Sequence, residues 1–168
     1  MISSQGMPLH PKKRALRGRR LVLVDIENVV GGAAVTPAMA AWARTVIEST
    51  LLGTHDEQVV IGTSHCGLFN VKDAWPCARV EVRSGPDGAD LELLEVLTTE
   101  HLASRFDEVV LVSGDGIFAE AVADLGRSGV QVVVAAWADG LSTRLRLAAN
   151  QTLALDGWHG HAVASTTA

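Results

Sequence analysis

Acidic side chains stand directly behind two runs of β-forming apolar residues. Leu21-Val22-Leu23-Val24 runs straight into Asp25, Glu27 and Asn28, and Val110-Leu111-Val112 runs into the turn Ser113-Gly114-Asp115-Gly116. A third acid, Asp90, opens an amphipathic stretch in which Leu94 and Leu97, at i+4 and i+7, share its face while Glu92 and Glu95 do not. Open parallel α/β sheets place their chemistry at the carboxyl ends of buried strands. Carboxylates gathered on one such rim repel each other unless a cation sits between them. Asp and Glu oxygens with open water positions suit Mg²⁺ or Mn²⁺. A cation so held activates water and neutralises charge on a phosphodiester during in-line displacement. That chemistry needs no nucleophilic side chain, and the sequence offers no convincing Ser-His-Asp or Cys-His arrangement.

The elements that must position these acids follow from the hydrophobic pattern. Strands are expected at 21–24, 58–62, 79–82, 108–112 and 130–134, with a short sixth strand at 152–155. Thr36-Pro37 reads as a helix start, with Thr as N-cap and Pro at the first helical position. Met39, Trp42, Val46 and Ile47 form its core-facing stripe, and the helix ends near Gly53. A short helix or irregular turn is expected over 68–74. The longest helix is expected over 89–104, another over 118–127, and a last one from Ser142 to Ala149. In a βαβ unit the helix starts at the carboxyl end of the preceding strand, which puts Asp90 on the same rim as Asp25 and Asp115. Strand and helix alternating with short loops is the pattern of a three-layer α/β/α domain with a mainly parallel sheet.

Composition bounds the rest. The chain has 168 residues, enough for one domain with a full core, and it is 48% hydrophobic with mean hydropathy +0.23. No apolar run reaches the length of a membrane span, and the first residues lack the apolar core of a signal peptide, so a cytoplasmic location is expected. Cys66 and Cys77 form no CxxC pair, and the six histidines show no metal-ligand spacing with them. Reduced thiols and no structural zinc are expected. Charge is uneven: residues 1–20 carry six Lys and Arg and no acid, whereas the remainder holds eight Lys and Arg against 19 acids. Residues 1–20 read as a basic, disordered arm, 21–156 as the domain, and 157–168 as a disordered tail. The arm suits phosphate binding, or is a solvated leader.

Val-Asp-Ile-Glu-Asn at 24–28, Gly-Ala-Asp-Leu-Glu-Leu at 88–93 and Val-Ser-Gly-Asp-Gly-Ile-Phe at 112–118 resemble the NYN domain, a branch of the PIN-like metal-dependent ribonucleases. The resemblance covers 21–156, and its most specific part is the Ser-Gly-Asp-Gly-x-Phe element. It implies sheet order 3-2-1-4-5 and hydrolysis of RNA phosphodiesters through a metal-activated water. Carried over by position, Asp25, Asp90 and Asp115 would hold Mg²⁺ or Mn²⁺. Asn28 would orient a ligand or the scissile phosphate, and Ser113 and Gly114 would shape the loop. Many members have a further aspartate where this chain has Ile117, and Glu27 or Asp87 are the candidates to replace it. Asn150 stands where the family often has an aspartate. The resemblance also allows a homodimer.

Each site residue has a plainer reading: Asp25 as a turn cap, Asn28 as a turn residue, Asp115 as an N-cap, Asp90 as a complement to the helix dipole. A degenerate NYN domain that binds RNA or protein without cutting is the alternative function. A phosphatase reading of Asp25-Ile26-Glu27 is the third, with Glu27 one methylene too long for the Asp-x-Asp pattern. RNA contacts are expected from the arm or from Arg144 and Arg146. His65 and Cys66 read as loop packing. Trp42 reads as core, and the other tryptophans as isolated.

Overall fold

In the computed structural model, which describes residues 18–51 and 57–156, the chain runs β1 (Arg20–Asp25), α1 (Ile26–Val30), α2 (Pro37–Leu51), β2 (Gln58–Thr63), α3 (Leu68–Ala74), β3 (Arg79–Val82), α4 (Gly88–Thr99), β4 (Glu108–Val112), α5 (Ala119–Arg127), β5 (Gln131–Ala136), α6 (Thr143–Ala148) and β6 (Gln151–Ala154). One sheet holds all six strands in the order β3-β2-β1-β4-β5-β6, and every pairing is parallel. The strand order expected from the resemblance is therefore the observed one, extended by the short sixth strand.

Period-two alternation sorts the core into two layers. Val22, Val24, Val110, Val112, Val133 and Ala135 face a cluster completed by α1, α2 and α3. Leu21, Leu23, Val109, Leu111, Val132 and Val134 face a second cluster with α4, α5 and α6. From β1 the chain winds outward through β2 to β3, then returns across the other face to β4. The reversal between β1 and β4 is a topological switch point, where a crevice opens above the strand ends.

Local differences from expectation have local causes. The segment after Asp25, for which no element was expected, is a helical turn, because the Asp25 side chain caps it by accepting from the Asn28 backbone N–H at 3.1 Å, and Gly31 at φ 81° ends it. Thr36 caps α2 as expected, its Oγ1 accepting from the Met39 N–H at 3.2 Å. The buried face of α2 is Ala40, Ala43, Val46, Ile47 and Leu51, with Met39 and Trp42 only half-buried. The alanines let the helix lie close to the sheet, and Trp42 turns instead to stack on Trp137. α4 stops at Thr99 rather than Ser104 because His101 is left-handed at φ 51°, and a short 3-10 turn over Leu102–Ser104 buries Leu102. Arg20 belongs to β1 and is ion-paired with Glu57 and Glu108, both at 2.6 Å. Residues 1–17, the end of the α2 segment near Gly53, and 157–168 lie outside the described residues.

Candidate active site

β1 and β4 end side by side, with Val24 in register with Val112, so Asp25 and Ser113 are the next residues on adjoining strands. Ser113 Oγ donates to Asp25 Oδ2 at 2.9 Å, while Oδ1 receives the Asn28 N–H. Asp25 is 2% exposed and thus a fully engaged carboxylate at the floor of the crevice. Asn28 closes the arrangement by accepting the Gly114 N–H on its Oδ1 at 3.0 Å. Its side-chain oxygen therefore braces the β4 loop.

Two close approaches hold the walls. A Cβ on Gly62, the β2 partner of Asp25, would stand 2.8 Å from Leu93 Cγ and 2.9 Å from the Ala89 carbonyl oxygen. Only glycine lets α4 seat there, and that seating carries half-buried Asp90 to the end of β1. A Cβ on Gly114 would lie 2.2 Å from the Gly140 carbonyl oxygen, and the Ser142 N–H donates to the Gly114 carbonyl at 2.9 Å. The Ser-Gly-Asp loop is thereby pressed against the start of α6.

The carboxyl groups feel one another. Burial pushes the Asp25 carboxyl above its ordinary value, opposed by hydrogen bonds from Asn28, Asp90 and Ser113, and the Glu27 charge adds to the rise. Asp90 is pushed up to about 8, first by burial, then by the charge of Asp25, a hydrogen bond with it, and the charges of Asp115 and Asp87. A proton shared between two such carboxyls relieves their repulsion, as a cation bound between them would. Asp115 is close enough to act by charge, but its Oδ1 accepts from the Ile117 N–H at 2.9 Å and caps the 3-10 turn over Gly116–Phe118. Among the described residues no three His, Cys, Asp or Glu side chains converge closely enough to enclose an ion. The donors nonetheless fit a hard divalent cation in kind: anionic oxygens whose mutual repulsion such a charge relieves. Asp25 and Asp90 form the nucleus of that set, with Asp115 beside them.

The candidates for a fourth acid fare unequally. Glu27 turns to β2, where its Oε1 accepts the Ser64 N–H at 2.7 Å. That engagement also removes it from the Asp-x-Asp role of a phosphatase. Asp87 stands at the left-handed start of α4, φ 55°, and no acid occupies the position of Ile117, which is 38% exposed. Arg144 and Arg146 are exposed on α6, which packs against the Asp115 turn. Asn150 Oδ1 accepts the Val132 N–H at 2.7 Å and pins β5, away from the rim. His65 Nδ1 pairs with Ser84 Oγ at 2.6 Å, and Cys66 and Cys77 are free and exposed. A cavity of about 430 Å³ lies between α2, the sheet and the segment that follows α3, lined by Arg44, Glu48, Trp75 and Cys77, and does not include Asp25, Asp90 or Asp115.

Fold and site together define a three-layer α/β domain with an acidic crevice at its topological switch. A model of the NYN domain matches residues 20–156, and the chain belongs to that family, which is of ribonuclease type. The crystal structure of a protein of unknown function from Vibrio parahaemolyticus is similar at TM-score 0.56 and 21% identity, over 83% of this chain and 93% of that one. It shares the fold. A Leishmania major protein provisionally assigned as a Mar1 ribonuclease aligns at TM-score 0.42 and 15% identity, over 81% of this chain and 78% of its own. No curated protein matches the chain significantly.

Proposed function

We propose that the protein is a divalent-metal-dependent ribonuclease, with Mg²⁺ or Mn²⁺ held by Asp25, Asp90 and Asp115. The observation that carries this reading is the Asp25–Asp90 pair, two carboxyls brought together at the switch point at the expense of both their ordinary acidities. Groups perturbed by burial and by a specific charged partner in a crevice mark functional sites. A cation bound there would supply water activation and neutralise charge on the phosphodiester. The chain's own contribution is rigidity: Ser113 and the Asn28 N–H fix both oxygens of Asp25, and Asn28 Oδ1 holds the loop that carries Asp115. The side-chain NH₂ of Asn28 is left to orient a phosphate. Arg144 and Arg146, on the helix abutting that loop, would track the strand.

A second reading has its own support. The absence of an acid at Ile117, and a third carboxylate engaged as a turn cap, favour a domain that grips RNA without cutting it. Titration of Mn²⁺ by calorimetry, with cleavage of a labelled mixed-sequence RNA in parallel, separates the two. Asp115→Asn keeps the side-chain oxygen that caps Ile117 and removes the charge. Hydrolysis should fall at least about a hundredfold, the loss expected when a metal ligand rather than its supporting shell is removed, with an unchanged melting curve. Undiminished cleavage in this variant would refute the assignment. RNA binding without hydrolysis in the wild type would establish the second reading. A cytoplasmic location belongs to this proposal; among the described residues no helix is long and apolar enough to cross a membrane.

A further inference from the structure

Beside the carboxylate crevice lies a second concavity whose lining differs in chemistry. Asn28 and Val29 from α1, Met39 and Trp42 from α2, and Trp137 and Asp139 from the segment after β5 line a space of about 250 Å³. Trp42 and Trp137 stack with ring centroids 5.8 Å apart and an interplanar angle of 14°. Trp137 Nε1 donates to the Val29 carbonyl at 3.0 Å, which fixes the indole against α1. The pocket thus presents an ordered aromatic and thioether surface. Drug-sized ligands take roughly 300–1,000 Å³, and this smaller space suits a single planar group.

Its place decides which group. Asn28 lines the pocket and also holds the Gly114 N–H, so one side chain stands between the pocket and the loop that carries Asp115. Asp139 is exposed at the pocket and carries the wrong sign for a phosphate. A carboxylate does accept from an exocyclic amine on a base edge, and indole rings take bases by stacking. We propose that this pocket receives one nucleobase of the RNA strand, with preference for a base that presents an exocyclic amine over uracil. The inference rests on the ribonuclease reading for its substrate class.

The test uses uridine heptamers, all-U or with one central cytosine, labelled at one end and bound to the full chain in EDTA at low salt, so that binding is read without hydrolysis. Met39 is the third residue of α2, where an acid complements the helix N-terminus. Met39→Glu should therefore fold at least as well as the wild type while placing a charge in the pocket. Ala38→Glu adds the same charge to an exposed neighbouring position outside the pocket lining. The expected result is roughly tenfold weaker binding by Met39→Glu, the loss of about one base stack, with Ala38→Glu near wild type. The cytosine heptamer should bind severalfold tighter than all-U, and Asp139→Asn should shrink that ratio. Equal affinity of Met39→Glu and Ala38→Glu at matched melting temperatures would overturn the pocket. The two proposals fail separately: pocket-dependent binding with no cleavage in Mn²⁺ sinks only the ribonuclease, whereas cleavage with an indifferent Met39→Glu sinks only the pocket.

Discussion

At the scale of single residues, Asp25 carries the most constraint. It caps α1 with one oxygen and receives Ser113 with the other, so the plain reading of this aspartate as a cap holds for the same carboxylate that is proposed as a metal ligand. Ser113→Ala leaves that buried oxygen without its donor. A lost hydrogen bond to a buried charged group costs about 1–3 kcal/mol, so thermal unfolding in EDTA should begin several degrees lower.

The Asp25–Asp90 pair also sets a pH dependence. Their folded-state pKa values lie above the unfolded ones. The folded chain then holds more protons than the unfolded chain between the ordinary carboxylate range and about pH 8, and stability falls as pH rises through that window. On the acid side the sign reverses. Arg79 and Arg105 hold Glu100 below its usual value, a contribution present at neutral pH and lost as pH falls through that lowered value. The metal-free protein should therefore melt highest at mildly acidic pH, by calorimetry in EDTA. Asp90→Asn should flatten the alkaline limb and leave the acid limb alone, and an unchanged alkaline limb would mean that the pair does not share a proton.

At the scale of elements, the site exists because α4 is allowed to touch the sheet. Gly62→Ala forces a methyl against Leu93 and the Ala89 carbonyl. Overpacking of this kind costs about 1–3 kcal/mol, and the displaced helix takes Asp90 with it. Cation affinity should fall together with stability, whereas Ser113→Ala weakens the site without moving a helix. Calorimetry on both variants distinguishes the two effects.

At the scale of the molecule, the proposed function asks an acidic chain of net charge −5 to hold a polyanion. Arg144 and Arg146 are exposed next to the Asp115 turn, so each should release about one counterion's worth of binding. Their joint replacement by alanine is expected to lower the salt slope of single-stranded RNA binding by about 1.4, from roughly 0.7 per phosphate contact. An unaltered slope would assign the backbone contacts to residues 1–20 instead. A homodimer, which would double this basic surface, is read by sedimentation at the concentrations used for binding.

The apolar runs before Asp25 and Asp115, the helix start at Thr36-Pro37 and the inward acid of α4 were legible in the sequence, because period and capping are local properties of the chain. The acids' order along the chain likewise carried the family resemblance. What the sequence left undetermined depends on contacts between distant segments. Glu27 turned out to face Ser64, and Asn28 to brace Gly114. Trp42, read as core, found Trp137 some 95 positions away and made a pocket wall. Gly62 gave no sign of its role, since a missing Cβ matters only when another element arrives to use the space. Local free energies select strands, helices and caps, but how close two carboxylates come, and what lies beside them, is decided by how helices seat on a sheet.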